Sequence, residues 1–459
     1  MIDFISTLNG YLWGFPMIAF LFGAHIFTTV RTGGIQRKVF KGIRLSVTTP
    51  KGTQGELSPF ASLTTSLAGT LGTGNIIGVG TAVALGGAGA VFWCWVTGML
   101  GMATQYCEVL LSVKYREKWG VGFRGGPMYF LKNGVKNKYL GLLYAFSASV
   151  GALITGSVIQ SNAIGAVMED AFGRWDKSIN FGEYEMSLSA LLVGVVTSLL
   201  ASVAIFGGVK LIGRICSYLV PFMALLFVGG CFCILFLNRD VLLLSLGRVF
   251  RDAFSPRSAG GGFVGSSLIV ALRYGVARGL FSNEAGLGTS SIVASTGKTP
   301  NPVRQALVSM TATFWDTVVM CFVTGLVIVS SIIKTEGRLG VIDGSTACFL
   351  AFSQIPYVGG GILIFSMTVF AFSTIIGLSY MGVSCASFVF GKKAELPYKI
   401  LWTAGVFIAP LISLEALWSV ADLLNAILVV PNVAGIFLLG NVVKSESEKY
   451  LNNVDMQAK

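Results

Sequence analysis

Two short stretches of this 459-residue chain combine polar side chains with glycine inside sequence that is otherwise apolar. The first is Gly72-Thr73-Gly74-Asn75, within "SLAGTLGTGNIIGVGTAVALGGAGAV" from Ser66 to Val91. The second is Ser282-Asn283-Glu284, followed by Gly286 and Gly288, within "LRYGVARGLFSNEAGLGTSS" from Leu272 to Ser291. Glycine is a poor helix former and lets a ligand approach the main chain closely, so each stretch predicts an interrupted helix. A half-helix that ends there offers spare carbonyls, suited to a cation or an ammonium. One that begins there offers spare N–H groups at a positive dipole end, suited to a carboxylate. A zwitterion fits both. Asn75 adds an amide oxygen that can accept from an ammonium or coordinate a cation. Gln160 and Asn162 are polar in another apolar run, which either a ligand in the bundle interior or a hydrogen bond between helices would explain.

The elements that position these groups follow from composition. The chain is 54% hydrophobic and 12% charged, against roughly 25% charged residues in an ordinary soluble domain. Only hydrocarbon matches such an exterior, which makes this an all-α polytopic membrane protein. About eleven spans of about twenty apolar residues centre near residues 20, 73, 100, 153, 198, 225, 280, 318, 370, 407 and 431. The first run, about Tyr11 to Val30, lacks a preceding basic segment and a following cleavage pattern, and reads as a retained helix. In lipid an open backbone is costly, so a break survives only where it lines a protected cavity.

The two breaks are five helices apart. With the first helix peripheral, ten core helices fall into two sets of five, each opening on its broken helix. Because five is odd, the second set is inverted relative to the first, the pattern of an inverted-repeat secondary transporter. The expected divisions are 1–52 (peripheral helix and basic segment), 53–240 and 241–443 (the two repeats), and 444–459 (a tail). With the N-terminus outside, about 23 of the 33 Lys and Arg lie in cytoplasmic segments and about 8 outside, as the positive-inside rule requires. The expected orientation is N-out and C-in.

Other chemistries find little material. His25 is the single histidine and the eight cysteines fall mostly in apolar runs, so no cofactor, zinc site or disulfide framework is expected. No G-x-x-x-x-G-K-[ST] motif is present, and the basic residues sit in loops rather than on a nucleic-acid-binding face. A channel would use a repeated filter sequence, which two dissimilar breaks do not supply. An enzyme would need a convergent acid, base or metal set. Glu108, Arg273, Arg278, Glu284 and Asp316 lie in or near spans and are either functional or paired for structure. Asp316 reads as a structural partner, a gate or a proton acceptor, and Arg278 and Glu284 as charges that fix the second break by pairing.

"GTLGTGNIIGVGTAV" and "RGLFSNEAGLGTSS", with "SVIQSNAIGAV" from Ser157, "NPVRQALVSM" and "FWDT" from Asn301 to Thr317, and "VFAFSTIIG" from Val369, resemble the alanine or glycine:cation symporter family over nearly the whole chain. The resemblance implies a LeuT-like fold in a bacterial or archaeal inner membrane. It also implies uptake of small neutral amino acids with sodium, or sometimes protons, by a chain expected to act as a monomer. It places Thr73, Gly74, Asn75, Gln160, Asn162, Phe281 and Asn283 around the substrate. Sodium would be held by carbonyls near Ala68 and Leu71 with the hydroxyls of Ser373 and Thr374. Many members follow "FAFSTIIG" with a tryptophan and then a glycine-glutamate pair, where this chain has Leu378 and Val383. Leucine removes aromatic volume, so a somewhat larger neutral amino acid, carried with protons, is the alternative.

Overall fold

The computed structural model describes residues 9, 11–50, 53–120, 122–173, 178–181, 184–254, 268–335, 344–412 and 415–453. Of the tail expected over 444–459, residues 454–459 lie outside them. Two short antiparallel hairpins, Glu117–Trp119 (β1) with Gly122–Arg124 (β2) and Ser178–Phe181 (β3) with Tyr184–Ser187 (β4), interrupt an otherwise helical chain.

The helices that build the site are Phe15–Arg31 (α1), Pro59–Thr70 (α2), Ile77–Gly86 (α3), Gly89–Lys114 (α4) and Lys138–Ala171 (α5). Leu188–Phe206 (α6), Gly208–Leu237 (α7), Leu268–Asn283 (α8), Thr289–Ala294 (α9) and Pro302–Lys334 (α10) follow. Gly344–Phe352 (α11), Gly359–Phe390 (α12), Glu395–Ile408 (α13) and Glu415–Leu438 (α14) complete the set. Their starts are written locally. Ser58 caps α2 by accepting from Ala61 N at 3.1 Å, and Asn301 caps α10 by accepting from Val303 N at 2.8 Å. Each is followed by a proline whose missing N–H costs nothing in the first turn.

Among the described residues six helices are long and apolar enough to cross a membrane: α5, α6, α7, α10, α12 and the Ser419–Leu438 part of α14. Two bent pairs, Phe15–Arg31 with Ile35–Ser46 (66°) and Pro59–Thr70 with Thr73–Gly86 (65°), raise the number to eight if each is one span. Helices also cover the expected centres near 100, 280 and 407. Of these, α4 carries Gln105 and Glu108 inside it, and α8 and α13 are only 16 and 14 residues long. The outward faces are apolar: Leu192, Val196, Leu199 and Val203 of α6 stand exposed at helical spacing, as do Tyr218, Phe222 and Leu225 of α7.

Polar contacts group the loops by end. Arg304 donates to Thr48 O at 3.0 Å, Arg116 to Ser295 O at 2.8 Å, and Lys114 and Arg124 pair with Glu446 (2.8 Å) and Glu395 (3.0 Å). These join the basic segments 31–51, 114–138, 295–304 and 392–399 and the C-terminal helix to one another. Lys334, at the end of α10, pairs with Asp240, just after α7, at 3.0 Å.

Candidate functional site

The first break begins where Leu71 leaves the helix at ψ 99° and Gly72 extends at φ −146°, ψ −155°. Its backbone groups find partners nearby. Gly72 N donates to Asn75 Oδ1 at 3.0 Å, and the Leu71 carbonyl accepts from Thr374 Oγ1 of α12 at 3.3 Å. Gly72 itself sits in a cradle: a Cβ there would lie 3.0 Å from Thr374 Oγ1 and 3.8 Å from Gln160 Oε1. The sequence thus has glycine where the main chain passes between α5 and α12.

The second break starts one residue beyond Asn283. Glu284 adopts φ +53°, and Gly286 and Gly288 follow at φ +102° and +77°, angles that glycine tolerates best. Asn283 Oδ1 accepts from Ala285 N at 2.9 Å, Gly286 N donates to Glu108 Oε1 at 2.8 Å, and Tyr144 donates to Leu287 O at 2.7 Å. Asn432 of α14 donates both to Gly286 O (2.8 Å) and to Glu108 Oε1 (2.7 Å). The unwound segment is therefore satisfied by protein rather than exposed to lipid, as the high cost of an unpaired backbone group in hydrocarbon demands. Glu284 takes its hydrogen bond from the Thr289 hydroxyl across the break and has no cationic partner among the described residues.

The two breaks meet. A Cβ on Gly74 would touch Phe281 and Ser282 at 3.8 Å, and Asn75 Nδ2 donates to Ser282 Oγ at 2.9 Å and to Asp316 Oδ1 at 2.7 Å. Asp316, fully buried, also accepts from Ser282 (3.0 Å) and Thr317 (2.6 Å), so neutral donors surround it. Beside this junction lies a cavity of about 50 Å³.

Thr73, Gly74, Gln160 and Phe281, expected at the substrate, line that cavity, and so does Thr374, expected at sodium. Gln160 is 9% exposed and its Oε1 has no hydrogen-bond partner among the described residues. Asn75 stands behind the cavity on Asp316. Asn283 donates to Thr317 Oγ1 at 3.1 Å, and Asn162 is turned outward to the carbonyls of Ala409 and Ile412, both at 3.0 Å. Ser373 donates to Phe370 O at 2.8 Å one residue from Thr374, and Ala68 lies under α12, where a Cβ on Gly377 would fall 3.1 Å from its carbonyl carbon. Leu378 completes one wall. Sequence reasoning missed Asn425 and Thr155 in the lining, and Tyr144 and Asn432 as supports of the second break. Asn425 and Asn432 were detectable in principle as amides inside an apolar span. His25 is buried, with Nδ1 on Thr104 Oγ1 at 2.7 Å.

Two broken helices that face each other across a small cavity, backed by a glutamine and a threonine, match what the sequence motifs imply. The model of the sodium:alanine symporter family matches residues 1–459. The chain belongs to that family. It is similar to the sodium/alanine symporter AgcS of Methanococcus maripaludis, 36% identical over 457 residues that cover 98% of this chain and 97% of that protein. The probable sodium/glutamine symporter GlnT of Bacillus subtilis is 31% identical over 450 residues, 97% of this chain and 90% of that one. Among solved structures, MhsT in complex with L-phenylalanine superposes with a TM-score of 0.60, covering 88% of this chain and 95% of that chain at 13% identity. At that identity the likeness shows the fold, and it supports the LeuT-like architecture. This member of the sodium:alanine symporter family is thus a multi-pass secondary transporter of the amino-acid-carrying class, not an enzyme.

Proposed function

We propose that the chain imports a small neutral amino acid, alanine or glycine, by sodium-coupled symport through alternating access across a prokaryotic inner membrane. The observation that carries this reading is Gln160 Oε1, a buried acceptor without a partner that faces the cavity where the two broken helices meet. A buried acceptor left unpaired is costly unless a ligand donor completes it, and an ammonium is such a donor. A cavity of about 50 Å³ suits a small amino acid rather than a large one. Sodium would be held where the Leu71 carbonyl and the Thr374 hydroxyl converge, with Ala68 and Ser373 adjacent; hard oxygen ligands suit an alkali cation.

The same reading takes ten core helices as two inverted sets of five, over 53–240 and 241–443, with α1 peripheral. The N-terminus is outside and the C-terminus cytoplasmic. The grouping of basic segments at one end of the molecule supports that orientation independently of hydropathy. Uptake of labelled glycine, L-alanine and D-alanine into proteoliposomes tests the proposal, under an inward sodium gradient, a proton gradient or neither. Sodium-dependent accumulation is expected; accumulation driven by protons alone, or of none of the three by folded protein, would overturn it.

A further inference from the structure

A second cavity, of about 160 Å³, lies next to the first along α12. Leu378 lines the first cavity, while the residues that follow it, Ser379, Tyr380 and Val383, line the second. The remaining wall comes from Glu56 just before α2, from the β1–β2 hairpin, from the end of α6 and the start of α7, and from Glu395 and Lys399 of α13. It sits at the end of the molecule where the basic segments gather.

Its charges are unequally satisfied. Arg124, 7% exposed, donates to Glu395 Oε1 at 3.0 Å and to the Ser387 hydroxyl, and its guanidinium lies 4.5 Å over the Trp119 ring. Trp119 Nε1 donates to the same Glu395 oxygen at 3.2 Å, so one oxygen of that carboxylate carries two donors. Glu56 is half-buried; its N–H donates to Thr296 O at 2.8 Å, but its carboxylate makes no hydrogen bond or ion pair among the described residues. Its carboxylate enters over Gly122, where a Cβ would lie 2.3 Å from Oε2. Burial pushes the Glu56 carboxyl above its ordinary range, with Lys210 and Arg124 opposing. A cavity-lining carboxylate without a partner is an acceptor for an ammonium, and Arg124 with Lys399 presents cationic donors for a carboxylate in the same chamber.

We propose that this second cavity is a release site in which the transported zwitterionic amino acid pauses on its way to the cytoplasm, its ammonium on Glu56 and its carboxylate toward Arg124 and Lys399. The inference rests on the proposed function. The larger volume accommodates a partly hydrated ligand, and the partial exposure of Glu395 (25%) at the rim makes binding weaker than in the first cavity.

The test is equilibrium binding of labelled alanine in saturating sodium to protein in lipid nanodiscs. It compares wild type, Glu56→Gln, Gln160→Ala and the double variant, each checked by thermal unfolding. Wild type should give a tight and a weak component. Gln160→Ala should weaken the tight component roughly tenfold and leave the weak one unchanged, and Glu56→Gln should weaken the weak component roughly tenfold and spare the tight one. A single component in wild type, a Glu56→Gln curve superposing on wild type, or loss of both components in folded Gln160→Ala would overturn the release site while leaving the first site standing. Should Gln160→Ala not fold, Glu56→Gln against wild type decides alone. Wild-type protein that binds no alanine would overturn the proposed function, and the release site with it.

Discussion

The side-chain amide of Asn75 donates to the Asp316 carboxylate at 2.7 Å, tying the first broken helix to the middle of α10 behind the cavity. The same side chain accepts from Gly72 N, so one residue holds both the shape of the break and its position in the bundle. A hydrogen bond to a charged group contributes about 1.5–3 kcal/mol. Asn75→Ala should therefore reduce uptake at least about tenfold and lower the unfolding temperature. Asn283→Ala, which removes the donor to Thr317 and the acceptor for Ala285 N, should do the same from the second break. Wild-type uptake by both, at equal membrane abundance, would show that neither break needs its asparagine.

Gln160 calls for the opposite signature. Its amide oxygen has no partner to lose among the described residues, so Gln160→Ala should leave thermal stability within about 1 kcal/mol of wild type and raise the KM for alanine roughly tenfold. A variant with lowered stability and unchanged KM would mark the glutamine as a structural residue.

Leu378 sets the size of the cavity. It packs against the first break, its Cδ2 3.1 Å from where a Cβ on Gly69 would lie. Leu378→Ala should admit larger neutral amino acids at a cost of about 2–5 kcal/mol in stability. Leu378→Trp should narrow the selection toward glycine. Competition of labelled alanine uptake by serine, threonine and glutamine reads both shifts; identical inhibition profiles in all three proteins would remove Leu378 as a determinant.

Gly80 governs packing rather than binding. A Cβ there would lie 2.2 Å from Gly344 O, because α3 and α11 touch backbone to backbone. Gly80→Ala should destabilise the protein by about 1–3 kcal/mol through forced separation of the helices, measured as a lowered unfolding midpoint. An unchanged midpoint would mean that the two helices separate freely.

Much of this was legible beforehand. Glycine and asparagine in an apolar run marked the first break because helix propensity and lipid exposure both oppose them, and the same conflict marked the second. The position of the second break was less legible. Of the polar cluster, Ser282 and Asn283 still belong to α8, and the backbone opens over Glu284 to Gly288, where side chains from three other helices supply the missing partners. Such partners are distant in sequence and leave no local signal. Asn162 shows the same limit: its polarity fits a ligand as well as it fits the carbonyls of Ala409 and Ile412, and only the turn of α5 decides which it meets. The number of spans was also less legible than their positions, since α4 carries polar residues inside it and α8 is only 16 residues long.

In the proposed mechanism one site, built from both breaks, couples the amino acid to sodium through the Leu71 carbonyl and the Thr374 hydroxyl. Its most direct test is alanine affinity as a function of sodium at constant pH and ionic strength, measured together with sodium affinity as a function of alanine. Sodium is expected to tighten alanine binding and alanine to tighten sodium binding by the same factor, as linkage requires. Alanine affinity identical in sodium-free and sodium-rich buffer would contradict it.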